Sequence, residues 1–113
     1  MAFIVYDLTL QMLKQLKPLI EQVRTQDRGL ADQLQRAGQS TLLNIAEGQS
    51  ARGRNEVAKF QLALTECREA RAALQLAVVW GYLDAAASAE VDGELDRVAA
   101  ILWTLVHRPR RAA

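Results

Sequence analysis

Apolar side chains recur along this chain at intervals of three and four residues, in four separate runs. That period belongs to helices that each bury one stripe. In the first run Met12, Leu16, Leu19 and Val23 mark the stripe, Leu13 and Ile20 widen it, and Lys14, Lys17 and Glu21 fall outside it. After a short apolar lead-in from Phe3 to Tyr6, Asp7 or Thr9 can cap a helix over about residues 7–23. Pro18 stands inside this run and should bend or break it, because proline lacks the N–H that an interior turn needs. The polar stretch Arg24 to Asp27 reads as a turn. Asp27 is then the N-cap of a second helix, about residues 27–48, with Leu30, Leu34, Ala37, Thr41 and Ile45 on one face and Gly48 as its stop.

The next seven residues, GQSARGR from Gly48 to Arg54, form a basic, glycine-bounded turn, and Asn55 can cap a third helix over about 55–80. Val57, Phe60, Leu64, Cys67, Leu74 and Val78 share its stripe, interrupted by Arg71. Ala63, Ala70 and Ala77 run beside it as a line of small residues that lets another helix come close. The last turns, AALQLAVVW (Ala72 to Trp80), carry one polar residue, so this end should be buried on more than one side, with a second subunit as the further cover. Gly81 ends the helix. Tyr82 to Ala89 reads as a loop with Ser88 as a cap, and a fourth helix follows over about 89–107 on Val91, Leu95, Val98, Leu102 and Leu105. Trp103 lies off that stripe beside Ala99 and Ala100, so Trp80, Ala99, Ala100 and Trp103 are the candidate oligomer interface. Four amphipathic segments with short turns predict an all-α, antiparallel up-down-up-down four-helix bundle.

Composition agrees. A chain of 113 residues suits one domain, residues 1–113, and it is 50% hydrophobic but only 5% aromatic, which favours packed helices of Leu, Ala and Val over strands. A net charge of +1 demands no nucleic-acid partner, so any electrostatic site must come from local clustering. Cys67 is the only cysteine, which excludes an intrachain disulfide and favours a reduced, cytoplasmic setting. The first residues lack a basic stretch and soon meet Asp7, unlike a signal peptide, and no apolar run reaches the ~20 residues of a membrane span.

Ser40, Asn44 and Glu47 form a polar line on the second helix, spaced four and three apart. They could act as a recognition unit. The plainer reading has Asn44 bonding backbone groups at a helix–helix contact and Glu47 pairing with Arg52, Arg54 or Arg71. Arg52, Arg54 and Lys59, with Arg36 and Arg68 as further cations, are the best candidates for phosphate contact, against a solvated turn with local ion pairs. No aromatic residue is interleaved with them, so base stacking is not expected. The tail Arg108, Arg110 and Arg111 is a weaker version of the same idea. Gly48 and Gly53 have the spacing of a phosphate-binding loop, but Arg54 and Asn55 stand where Lys and Ser or Thr are needed, and a helix precedes them in place of a strand. His107 is the only histidine, so the Glu-x-x-His pairs of a di-iron bundle cannot be built. Cys67 has no neighbour in sequence that would activate it as a nucleophile. The residues therefore suggest no catalytic, metal or cofactor site.

Ser40, the run Asn44-Ile45-Ala46-Glu47-Gly48, the basic Arg52 and Arg54, Phe60, and Gly81-Tyr82 together resemble a bacterial four-helix-bundle family. Its founding members are encoded in intervening sequences of large-subunit ribosomal RNA genes, and the accessory proteins of diversity-generating retroelements are similar to it. The likeness is densest from Leu30 to Leu83. Around Thr65-Glu66-Cys67 the chain departs from the family's small Gly-Ser pair. The resemblance implies a homo-oligomer, a ring-shaped pentamer in similar members, and a binding or scaffold role in place of catalysis. Two functions are then expected: a scaffold that meets a protein partner, or an RNA- or DNA-binding accessory protein that displays its basic turn around a ring. The charges separate them. Cations clustered on one exposed face favour nucleic acid, and neutralisation by Glu47, Glu56 and Glu66 counts against it.

Overall fold

The computed structural model describes residues 2–109 and contains four helices: α1 Ala2–Arg24, α2 Arg28–Ser50, α3 Gly53–Val79 and α4 Ala85–His107. Connections of three, two and five residues force each helix to run back along its predecessor. Neighbours pack in the cyclic order α1, α2, α3, α4, with α4 closing against α1. The expected all-α, antiparallel four-helix bundle is therefore the observed fold. The candidate tail residues Arg110 and Arg111 lie outside the described residues.

The predicted stripes meet in the middle. Met12, Leu16 and Val23 from α1, Leu34 and Ile45 from α2, Phe60 and Leu64 from α3, and Leu95 and Leu102 from α4 are buried in one core. Ala63, Ala70 and Ala77 are buried as well, which brings α3 close to its neighbours. Two buried hydroxyls inside this core are satisfied within their own helices: Thr9 Oγ1 donates to the Val5 carbonyl at 2.6 Å and Thr41 Oγ1 to the Ala37 carbonyl at 2.8 Å.

Helix ends depart from the sequence reading in three places. First, α1 begins at Ala2, and the supposed lead-in contributes Val5 to the core; Thr9 is buried mid-helix and caps nothing. Pro18 sits on the exposed side of α1 without ending it, because Leu16, Leu19, Ile20 and Val23 anchor the helix on both sides of the missing bond. Second, α2 runs through Gly48 to Ser50, and α3 starts at Gly53, so the seven-residue turn shrinks to Ala51 and Arg52, and Asn55 lies inside the helix. The left-handed residue at this corner is Gly53, φ +59°. Third, α4 starts at Ala85, four residues early, because Ala85 to Ala87 are strong helix formers; Ser88 Oγ donates to the Ala85 carbonyl inside the helix.

The opposite end of the bundle follows the sequence closely. Asp27 caps α2, its Oδ1 accepting from the Leu30 N–H at 3.0 Å. Gly81, φ +79°, ends α3, with the Tyr82 N–H bonding the Ala77 carbonyl and the Gly81 N–H the Val78 carbonyl. Only a residue at ease with positive φ closes the helix this way.

Candidate functional site

The polar line of α2 lies along the outer edge of its seam with α3. Ser40 and Asn44 are half-buried, and Asn44 Nδ2 donates to the Ser40 carbonyl at 2.9 Å and to Ser40 Oγ at 3.2 Å. These contacts stay within α2, so the backbone group that Asn44 bonds at this seam belongs to its own helix. Glu47 reaches α3, but its partner is Lys59 at 2.7 Å, nearly two turns past the corner, and not Arg52, Arg54 or Arg71.

Gly48, next in the motif, is buried, and its place is set by sterics. A Cβ built on it would lie 2.6 Å from Cε1 and 2.8 Å from Cδ1 of the Phe60 ring. A ring cannot bend aside as the end of a flexible chain can, so Gly48 lets α2 touch the face of Phe60. Gly48 and Phe60 belong to one contact, twelve positions apart in sequence.

Gly81 and Tyr82 belong to the other end. The Tyr82 hydroxyl donates to Asp27 Oδ2 at 3.2 Å, and Gln22 Nε2 donates to the Tyr82 carbonyl at 3.1 Å. One residue after the α3 stop thus ties down the end of α1 and the cap of α2. The hydroxyl's pKa is raised, by desolvation first and then by the Asp27 carboxylate.

The candidate cations divide. Lys59 is held by Glu47, while Arg52 and Arg54 are exposed and make no ion pair among the described residues. Glu56 pairs with Arg108 at 2.8 Å, joining the first turn of α3 to the end of α4. Glu66 has its pKa raised by burial first and by neighbouring Glu69, with Arg36 pulling the other way. Of the acids that could neutralise the corner, Glu47 is taken up by Lys59 and Glu56 by Arg108.

The candidate interface residues do not form one patch. Ala99, Ala100 and Trp103 line the outer groove between α3 and α4, whereas Trp80 sits at the far end of α3, about 18 Å beyond Arg68 of that groove at 1.5 Å per residue. Trp80 instead continues, with Leu76 and Val79, the apolar end of α3 that the sequence offered for cover by a second subunit, and all three are exposed; Leu62 on α3 and Leu43 on α2 are exposed apolar residues nearer the α2–α3 corner. Spacings of fourteen and four along α3 put Leu62, Leu76 and Trp80 on one face, with Glu66 and Glu69 on that face between Leu62 and Leu76.

A feature missed from sequence is the clamp between α3 and α4. Arg71 Nε donates to Asp92 Oδ1 at 3.0 Å, its Nη1 to Asp96 Oδ1 at 2.8 Å, and Gln75 Nε2 donates to the same Asp92 oxygen at 3.2 Å. The Arg71 hydrogen bonds hold the Asp92 carboxyl below its usual range against the opposing effect of burial. Asp92 and Asp96 are four apart on the face of α4 that meets α3. Below this clamp Cys67 is buried, its Sγ donating to the Leu95 carbonyl at 3.3 Å, and burial pushes its pKa up to about 12, so the thiol is not an activated nucleophile.

Among the described residues, no group of three or more His, Cys, Asp or Glu side chains is gathered to hold a metal. No described helix is long and apolar enough to cross a membrane.

Residues 1–104 match the family described as 23S rRNA-intervening sequence protein, and the chain belongs to that family. No curated protein matches it. A crystal structure of a protein of unknown function from the S23 ribosomal protein family, from Bacteroides thetaiotaomicron VPI-5482, is similar over 91% of this chain and 98% of that one, with a TM-score of 0.84 at 21% sequence identity. At that identity the likeness is one of fold.

Proposed function

We propose that this member of the 23S rRNA-intervening sequence protein family is a non-enzymatic cytoplasmic scaffold, which assembles with copies of itself, a pentamer being the expected size, and presents the assembly to a protein partner. The observation that carries this reading is the exposed apolar end of α3, Leu76, Val79 and Trp80, with Leu62 and Leu43 exposed nearer the α2–α3 corner. Trp80 is 60% exposed and Val79 74%, although the core beneath is filled. Scattered apolar residues need no explanation, but an aligned set reads as a surface to be covered. Covering each of these side chains is worth roughly 1–2 kcal/mol, a fraction of the 1.5–3 kcal/mol for full burial.

The test is the native mass by light scattering of the parent and of the Leu76→Glu/Trp80→Glu variant. The parent should run as a multiple of 12.5 kDa, and the variant should fall towards a single chain with its helical circular dichroism unchanged. A parent that stays at one chain's mass at micromolar concentration would sink self-assembly.

A second reading rests on Arg52 and Arg54, which are exposed at the α2–α3 corner without an ion pair among the described residues. Free guanidinium groups of this kind suit phosphate, and a ring would multiply them. Arg52→Ala/Arg54→Ala should weaken binding of RNA or DNA and flatten its salt dependence in a fluorescence-anisotropy titration. An unchanged salt slope would remove these residues from the contact.

A further inference from the structure

In sequence no aromatic residue lies among the candidate cations, but the fold brings a pair of rings to their side. Trp103 is 50% exposed on α4, and His107 stacks on it with ring centroids 4.1 Å apart and an interplanar angle of 22°. His107 Nδ1 lies 2.8 Å from the Trp103 carbonyl oxygen, which fixes the imidazole. The two rings therefore form a platform whose orientation is set before anything binds.

Beside the indole runs an open groove of about 530 Å³ between α3 and α4. Asp96, Ala99, Ala100 and Thr104 form its α4 side with the indole, and Cys67, Arg68 and Arg71 its α3 side. Arg68 is exposed and makes no ion pair among the described residues. The groove's own acid, Asp96, is paired with Arg71 in its wall, and Glu56 towards the corner is paired with Arg108. The buried Cys67 thiol stays protonated and adds no negative charge. Arg54 lies two heptads before Arg68 on the same side of α3, about 21 Å away at 1.5 Å per residue. A base-sized apolar platform thus sits beside one free cation, with a second in line towards the corner.

We propose that Trp103, His107 and Arg68 form a stacking and phosphate site for single-stranded nucleic acid, with Arg54 extending its track towards the α2–α3 corner. This inference rests on the nucleic-acid reading above and adds the form of nucleic acid. A duplex keeps its base faces inside the stack and can offer Arg68 and Arg54 only phosphates, whereas an unpaired strand can lay a base on the rings and its backbone along the arginines. Each stacked base typically contributes about 1–3 kcal/mol, so the platform is large enough to decide between strand and duplex.

The experiment uses the full chain carrying Trp80→Phe, which leaves Trp103 as the sole indole. It is titrated with a short single-stranded RNA, the DNA strand of the same sequence and the matching duplex, at low and physiological salt, following Trp103 fluorescence and strand anisotropy. Both single strands should quench Trp103 and bind about ten-fold more tightly than the duplex. Trp103→Leu should lose most of that margin without changing the salt slope, and Arg68→Ala should reduce the slope by about one. Strand binding unchanged in Trp103→Leu, or a duplex that binds as well as the strand without quenching, overturns the platform and leaves Arg52 and Arg54 as a backbone contact. No binding of any of the three at low salt overturns the platform and the nucleic-acid reading together.

Discussion

On its α2 side α3 is held by shape: Gly48 removes a side chain so that the Phe60 ring can lie against the α2 backbone, and one exposed ion pair, Glu47 with Lys59, closes the edge. On its α4 side it is held by charge: Arg71 bridges Asp92 and Asp96, with Gln75 sharing the Asp92 oxygen. The outer surfaces differ in the same sense. The α2 side turns Leu76, Val79 and Trp80 outwards at one end, and the α4 side turns out Trp103, His107 and Arg68. A contact made by shape tolerates no added atoms and ignores pH. A contact made by charge tolerates changes of shape and weakens in acid. One helix can therefore fix its position on one flank and remain chemically adjustable on the other.

The largest effects should fall on the flank held by shape. Phe60→Ala removes a fully buried ring and should cost about 3–5 kcal/mol in urea unfolding. Gly48→Ala should cost about 1–3 kcal/mol even though alanine is the better helix former, because its Cβ would meet the ring at 2.6 Å. Placing Phe60→Leu in the Gly48→Ala background should recover part of that loss, giving less than the sum of the single changes. Strictly additive losses would show that Gly48 and Phe60 are not one contact.

The flank held by charge should answer next, and with pH. Asp92→Asn should cost about 1–2 kcal/mol at neutral pH, since it weakens charge-assisted hydrogen bonds at a partly exposed site. The carboxyl's pKa is lower in the folded chain than in the unfolded one, so its contribution is complete above the ordinary carboxylate range and disappears as the pH falls through the lowered folded value. The gap between parent and variant should therefore close in acid. Glu94, whose pKa burial raises first and Glu90 further, works in the opposite sense in both chains and cancels from the comparison. A gap that is constant with pH would mean that shape, not charge, holds this flank too. Tyr82→Phe, which deletes only the hydroxyl bond to Asp27 at the end of the bundle, should cost less, about 0.5–1.5 kcal/mol in the same titration.

The contrast also explains what could be read from the chain. The core stripes of α2 and α4 were legible because each is periodic within one helix, as Leu30 to Ile45 and Val91 to Leu105 show. Asp27 and Gly81 were legible because a cap and a stop act on adjacent residues. Gly48 misled because a glycine at a helix stop and one under a ring look the same in sequence, and the ring that decides between them lies on the next helix. Arg71 showed only as a gap in the α3 stripe, because the acids that explain it belong to α4. The family resemblance picked out Ser40, Asn44, Glu47, Gly48, Phe60, Gly81 and Tyr82 as a set, and the structure divides the set between the two ends of the bundle. The pairing of Trp103 with His107 was hidden by attention to the core stripe, although the two stand four apart on one helix.

The smallest effect on stability is expected from Trp103→Glu, and it sharpens the comparison most. The side chain is half exposed and off the core stripe, so removing it should change stability by no more than about 0.5–1 kcal/mol, chiefly through the lost stack with His107. If the two outer surfaces serve different purposes, this charge should leave the native mass of the assembly unchanged, while the same charge at Leu76 and Trp80 dissociates it. Light scattering on the two variants at equal concentration reads the difference directly. A fall in mass with Trp103→Glu would place the α3–α4 groove inside the assembly, where the indole is covered and unavailable to a base. The platform and the assembly surface would then be one surface, and the division of labour between the flanks of α3 would end at the core.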